Sequence, residues 1–224
     1  MATPYSLQAY DEVTSTQDLA AASWVEGPLL VVAGRQTAGR GRSQRPWATA
    51  PRAVAVSLAF RPAWSSAHWP LIPLIAGLAA AEVIGPGVNL KWPNDILRGE
   101  DKLGGILVEG SSDVLVVGCG LNLWWPDPPE GVTARWAEDP GPGAILTTAN
   151  EWAVALLARI EAGPERWGRS DYRSLSGTIG RRLTWEPGGR GTAVDIGEDG
   201  SLIVDTGAGV QRLVAGEVTH LRKE

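Results

Sequence analysis

The stretch GRQTAGRGRSQRPW, residues 34–47, sets Arg35, Arg40, Arg42 and Arg45 among three glycines in a chain whose net charge is -5. Such a segment can grip nucleic acid, cradle phosphates, or lie solvated as a basic loop. Both standard phosphate loops fail on it. Gly34 to Gly39 matches the start of a P-loop, but Arg40 and Gly41 stand where that mechanism needs lysine and a hydroxyl. The dinucleotide pattern GxGxxG also fails, because Gly39 and Gly41 are followed by Arg42, Ser43 and Gln44. What remains is a loop whose glycines permit close backbone approach. Its arginines offer bidentate donors to carboxylate or phosphate, and Trp47 can stack on a flat ring. The acidic balance gives no whole-protein attraction to nucleic acid, so anion binding has to be local.

The rest of the chain narrows the class. With 224 residues and 44% apolar content it can bury one larger core, or a main core and a small one. The N-terminal residues show no basic region followed by an apolar one, and no uninterrupted apolar run reaches the ~18 residues of a membrane span. A single cysteine, Cys119, excludes an internal disulfide framework, and His68 and His220 lie too far apart for zinc-type spacing. Cytoplasmic localisation is expected, with no membrane partner. Of the 20 cationic residues only Lys91, Lys102 and Lys223 are lysine, and two of these fall within twelve residues of each other. Lysine supplies a compact point charge where arginine supplies a planar fork.

Strand signals cover Tyr5 to Tyr10, PLLVVAG, AVAVSLAF and DVLVVGCGLNL. TSTQDLAAASW opens a helix capped by Thr14, Ser15 or Thr16, with Asp18 in the first turn. A second helix lies within HWPLIPLIAGLAAAEVIG. VNLKW, NDILRGED and KLGGILVEGS read as strand, turn and strand. A third helix begins near Thr148, where TANE offers a capping box, and a further helical segment spans PERWGRSDYRSL. From Ser176 onward the texture changes to four or five short strands separated by PGG, EDG and TGAG turns. The expected architecture is α+β: a domain of residues 1–175 with one main sheet flanked by helices, and a small β-rich domain of residues 176–224.

Three further motifs carry chemistry. KWPND, residues 91–95, gathers a cation, an aromatic, an amide and a carboxylate around a proline turn. KLGG, residues 102–105, sets an ammonium beside bare backbone. GCGLN, residues 118–122, ends an apolar strand on an amide. Taken singly, each reads equally well as packing or turn chemistry.

In this order, GRGRSQRPW, KWPND, KxGGIL and GxGxN resemble the biotin protein ligases, from about Thr14 to the C-terminus. The resemblance implies a catalytic domain like that of the class II aminoacyl-tRNA synthetases, with a mixed sheet, and an SH3-like C-terminal β-barrel. It implies formation of biotinyl-5′-AMP from biotin and MgATP, then transfer of biotin to a lysine of a carboxyl carrier domain of an acyl-CoA or pyruvate carboxylase. Biotin, ATP and Mg2+ are the implied ligands.

By the same resemblance Ser15, Thr16 and Gln36 meet the ureido ring. Gly39, Gly41 and Gly105 let backbone approach it, and Arg40, Arg42 and Lys102 neutralise the two reacting anions. Trp47 stacks on adenine and Asn122 reads its edge. Lys91, Asn94 and Asp95 lie near the phosphates, with Asp95 aiding magnesium or positioning Lys102, and Arg222 reaches back to the nucleotide. Catalysis falls to Lys102, Arg42, Lys91 and Asp95, and Cys119 reads as a small core residue.

Ser43, Gln44 and Pro46 depart from the more glycine- and arginine-rich loops of many members, and Pro46 stiffens the loop's end. The expected type is monofunctional, without the N-terminal DNA-binding domain of some members, and a monomer or weak homodimer. The competing readings are a lipoate or octanoate ligase or transferase of the related fold, and an inactive biotin-binding sensor.

Overall fold

Ala53 to Phe60 is buried at every position, as an interior strand covered on both faces must be. It is an interior strand of a seven-stranded sheet in the computed structural model, which describes residues 4–111, 114–214, 216 and 218–221. The strands are β1 (Ser6–Val13), β2 (Leu29–Gln36), β3 (Arg52–Phe60), β4 (Asn89–Lys91), β5 (Asp95–Arg98), β6 (Asp101–Ser111) and β7 (Val114–Trp124), in the order β1-β2-β3-β7-β6-β5-β4. Only β1 and β2 run parallel, so the sheet is mixed.

Helices cover both faces. α1 (Thr16–Ser23) buries Ala20 against Leu29, Val31, Ala59 and Val116 on one side. The other side takes α2 (Ile72–Ile84) and α3 (Gly143–Glu161), which pack against each other and the sheet. α2 is buried almost all round, which explains its unbroken apolar sequence. The 19-residue stretch Ser66–Ile84 is long and apolar enough to cross a membrane by composition, yet it is a 3-10 turn at Ser66–Leu71 followed by this buried core helix. A short α4 (Arg169–Leu175) follows, separated from a 3-10 turn at Pro164–Arg166 by Gly168, whose φ of 94° stops the helix.

A separate antiparallel sheet closes the chain. Its strands β8 (Arg182–Trp185), β9 (Gly189–Ile196), β10 (Leu202–Asp205), β11 (Val210–Leu213) and β12 (Val218–His220) run in the order β11-β10-β9-β8-β12. Leu183, Ala193, Ile196, Leu202 and Val204 join the core of the first sheet without a break. Trp92 is the pin between them: its ring is buried and its Nε1 donates to Gly200 O at 2.9 Å.

Two local expectations are corrected. NDILRGED is not a turn throughout, because Asp95–Arg98 forms β5, with Ile96 and Leu97 buried; turns remain at Asn94 before it and at Gly99 and Glu100 after it, where Gly99 takes φ 62°. Likewise α3 begins at Gly143, five residues before Thr148. Ala144, Ile145 and Leu146 extend the helix back to Pro142, so the capping-box residues sit inside it, with Thr148 buried. Replacing Trp92 by Phe should keep most of the packing and orphan Gly200 O. The expected loss is about 1–3 kcal/mol, read as a lowered midpoint in denaturant with an unchanged slope.

Candidate active site

The arginine-glycine segment is a small closed loop. Its start is tied to β1 and α1 by Thr37 N and Ala38 N donating to Val13 O and Thr14 O. It folds on itself through Gly41 N to Arg45 O at 2.8 Å and Trp47 N to Gly39 O at 2.9 Å. Ser43 and Gln44 at its tip take φ 54° and 58°, a left-handed conformation that costs non-glycine residues roughly 1–2 kcal/mol each. This strain lies where the sequence departs from a glycine-rich pattern.

The arginines are not equally available. Arg40 makes a bidentate pair with Asp18 at 2.7 and 2.8 Å, and also donates to Glu109 at 3.0 Å and Ser15 Oγ at 3.3 Å. The Arg40 hydrogen bond holds Asp18 below the usual carboxylate range, and Asp18 in turn keeps Arg40 more firmly charged. Arg42 instead spans the mouth of the site, donating to Asn94 Oδ1 at 3.3 Å and to Gly216 O at 3.1 Å. It thereby ties the loop to the KWPND turn and to the C-terminal sheet.

Lys91 ends β4, and Lys102 lies near the start of β6, across the β5–β6 hairpin from Asp95. Lys102 Nζ donates to Asp95 Oδ1 at 2.5 Å, and Lys91 Nζ lies 4.0 Å from Asp95 Oδ2, so one carboxylate sits between two ammoniums. Lys102 Nζ also lies 5.7 Å from the centre of the Trp47 ring. That ring rests on the backbone of paired Gly105 and Gly120, and a Cβ at Gly120 would meet it at 2.7 Å. Trp47 Nε1 is buried without a partner among the described residues.

These groups line one cleft of about 350 Å³. It brings together Ser15, Thr16 and Gln36 at its floor, Arg40, Gly41 and Arg42 from the loop, and Lys91, Asn94, Asp95 and Lys102 from the segment β4 to β6. Trp47 and Gly105 lie between them. Ser15 caps α1, accepting from Asp18 N at 3.3 Å. Thr16 N donates to Gln36 Oε1 at 2.8 Å, and Thr16 Oγ1 lies 3.1 Å from the same oxygen.

Gly39 stands behind the lining, where a Cβ would press on Gln36 Nε2 at 2.8 Å. Asn122 is buried beside the cleft without lining it. Its Nδ2 donates to Thr133 O at 3.1 Å and its Oδ1 has no partner. Arg222 lies outside the described residues. Cys119 is buried, and burial pushes its thiol far up, as expected of an inert core residue.

Residues 10–122 match the Biotin/lipoate A/B protein ligase family and residues 189–221 the Biotin protein ligase C terminal domain. The chain belongs to the biotin protein ligases of that family. It is 36% identical over 213 residues to the biotin–[acetyl-CoA-carboxylase] ligase of Mycobacterium tuberculosis, an overlap of 87% of this chain and 79% of that one. It is 40% identical over 109 residues to the bifunctional ligase/repressor BirA of Bacillus subtilis, covering 45% of this chain and 33% of BirA. The solved biotin protein ligase from Aquifex aeolicus in complex with biotin and ATP shares the fold with a TM-score of 0.83 at 27% identity, over 97% of this chain and 99% of that one.

Within this biotin protein ligase the cleft also holds residues that sequence reasoning passed over. Gln17 and Ser57 lie buried in the floor, and Thr219 enters from β12. Ser57 had one signal, a hydroxyl inside the apolar run AVAVSLAF. Near the KWPND turn, His220 Nε2 is hydrogen-bonded to Thr178 Oγ1 at 3.1 Å, a hydroxyl that itself accepts from Trp92 N. Burial, then the charges of Lys91 and Arg181, lower His220 from 6.5 to about 4. Between those two pH values the unfolded chain binds more protons at this site than the native state, so stability falls as pH drops through the window. His220→Gln should flatten that part of the stability profile, measured by denaturant melts at pH 4 to 7.

Proposed function

We propose that this chain activates biotin with ATP to biotinyl-5′-AMP and then biotinylates a lysine of a carboxyl carrier domain. The observation that carries this reading is the Lys91–Asp95–Lys102 cluster set against a glycine-lined floor. Two cations converge there on a cleft that supplies a single carboxylate between them. Two anions, biotin carboxylate and ATP, have to meet in such a place.

In the first step a biotin carboxylate oxygen attacks the α-phosphorus, the bond to the bridging oxygen of the β-phosphate breaks, and pyrophosphate leaves. In the second, the neutral amine of the carrier lysine attacks the acyl carbon. The carbon–oxygen bond to AMP breaks, and the amine loses a proton. Lys102, released from Asp95, lies between carboxylate and α-phosphate and stabilises the charge that develops there. Lys91 and Asn94 serve the phosphates, and Arg42 closes the loop over the intermediate. Arg40, held by its two carboxylates, orders the loop around the carboxylate end of biotin.

Thr16, Ser15 and Gln36 take the ureido ring, with Gly39, Gly41 and Gly105 giving it room. Trp47 stacks on adenine, and the unpartnered Asn122 Oδ1 suits its amino group. Arg222 is retained as a nucleotide contact. Magnesium arrives with the phosphates, since that ion is usually held by one or two carboxylates and substrate oxygens. Asp95 is the carboxylate in the cleft that fits it, and the ion's chemistry there is neutralisation of phosphate charge.

The related lipoate and octanoate reading fares worse on one point: an aliphatic chain offers no donor to the oxygens that Thr16 and Gln36 turn toward the cleft. The reading extends to a division at 175/176, a carrier domain of an acyl-CoA or pyruvate carboxylase, a monomeric or weakly dimeric state, cytoplasmic location and no nucleic-acid partner.

Biotin-dependent pyrophosphate release tests it: a single burst without apo carrier domain, turnover with it, and one biotin added per carrier by mass. Release with lipoate or octanoate alone would move the chain to the sister activity, and binding without release would leave a sensor. Lys102→Ala should slow single-turnover adenylate formation by about 10²–10³, with far-UV circular dichroism unchanged. Arg42→Ala should shorten the lifetime of bound biotinyl-5′-AMP, measured by its dissociation rate.

A further inference from the structure

The floor of the cleft contains a chain of polar groups that is one proton short. Gln17 Nε2 donates to Val116 O at 2.9 Å, which fixes the orientation of that amide, so Gln17 Oε1 can only accept. Gln36 is fixed in the same way, because its Oε1 accepts from Thr16 N at 2.8 Å. Between these two oxygens run two hydroxyls: Ser57 Oγ at 3.0 Å from Gln17 Oε1, Thr16 Oγ1 at 2.9 Å from Ser57 Oγ, and Gln36 Oε1 at 3.1 Å from Thr16 Oγ1. Three contacts therefore share two hydroxyl protons.

One contact lacks its proton. The Thr16–Ser57 contact, the shortest at 2.9 Å, keeps one because two bare oxygens there would repel, and burial decides between the two ends. Gln17 and Ser57 are 4% and 1% exposed, whereas Gln36 is only half-buried at the cleft wall. An orphan acceptor at the Gln17 end would have nothing to relieve it; at the Gln36 end a ligand or water can. Both hydroxyls thus point inward: Ser57 donates to Gln17, and Thr16 donates to Ser57. The gap falls on the longest contact, and Thr16 Oγ1 and Gln36 Oε1 each keep a lone pair for the cleft. The room for this arrangement comes from Gly118, where a Cβ would stand 2.6 Å from Gln17 Oε1.

We propose that Ser57 and Gln17 are positioning residues that set this proton order. They turn the floor into a pair of acceptors that selects a ring carrying N–H donors over one presenting acceptor atoms. The inference rests on the cleft being a biotin site, whose ureido ring has two such donors.

The test compares KM and kcat in biotin-dependent ATP–pyrophosphate exchange for biotin and for a cyclic carbamate analogue, in which one ring N–H is replaced by oxygen. The wild type should favour biotin by at least roughly tenfold in KM, the kind of rejection expected when a polar site is left unmatched. In Ser57→Ala the Thr16 proton turns to Gln36 and fills one acceptor. KM for biotin should rise about tenfold with kcat within about twofold, and the preference over the carbamate should shrink several-fold. Gln17→Met, which cannot accept the Ser57 proton, is a second probe expected to shrink the same ratio. Equal rises of both KM values in the variants, with the preference intact, would mean a merely structural role and overturn the proposal alone. Wild-type protein with no exchange on biotin would overturn the biotin reading itself, and the proposal with it.

Discussion

The site depends on a charge constraint: cations that must meet two anionic substrates have to be stored, beforehand, in a protein with a net charge of -5. The structure stores them on its own carboxylates. Asp95 lies between Lys102 and Lys91, and Arg40 is held by Asp18 and Glu109. On the proposed function, substrate binding is an exchange of anions rather than the arrival of charge at a bare cation. Exchange of this kind keeps each side chain in its working position, and position is what electrostatic catalysis requires.

That storage needs a rigid frame, and the mixed sheet is the frame. Asp95 opens β5 and Lys102 lies near the start of β6, so the two come within 2.5 Å across a tight turn at the edge of the sheet. The bulge between Ile96 and Leu97 breaks the register between Asp95 and the residue pair that includes Lys102. Further in, Gly105 and Gly120 face each other on neighbouring strands and leave a flat floor for an indole or a base. The C-terminal sheet belongs to the same unit through Trp92, and it closes the mouth where Arg42 reaches Gly216.

Electrostatics alone would not give a specific ligand. The floor beneath the cations consists of short polar side chains on α1, β2 and β3, held by helix capping and by one another. Their buried hydrogen bonds have little freedom to rearrange, so the pattern of donors and acceptors they present is set by the fold. An apolar chain gains nothing from such a surface, and a compact polar ring does.

The sequence by itself determined the family and most of the site. Four short motifs, in order, carried the arginine loop, Lys91 to Asp95 and Lys102, the family resemblance they establish added Ser15, Thr16 and Gln36, and the α+β class followed from the arrangement of apolar runs. These are local signals: glycine, proline and charge at fixed spacing mark turns and ligand contacts whatever the rest of the chain does. Tertiary structure decided what depends on distant partners. It converted NDIL from turn to strand by pairing it with β6, and drew the start of α3 back to Gly143. It assigned Arg40 to Asp18 and Glu109 rather than to open solvent, and brought Gln17 and Ser57, forty residues apart, into one hydrogen-bond chain. A polar residue inside an apolar run shows in sequence only as an interruption. Which group it bonds, and which way its proton points, is fixed by strands and helices that meet only in three dimensions.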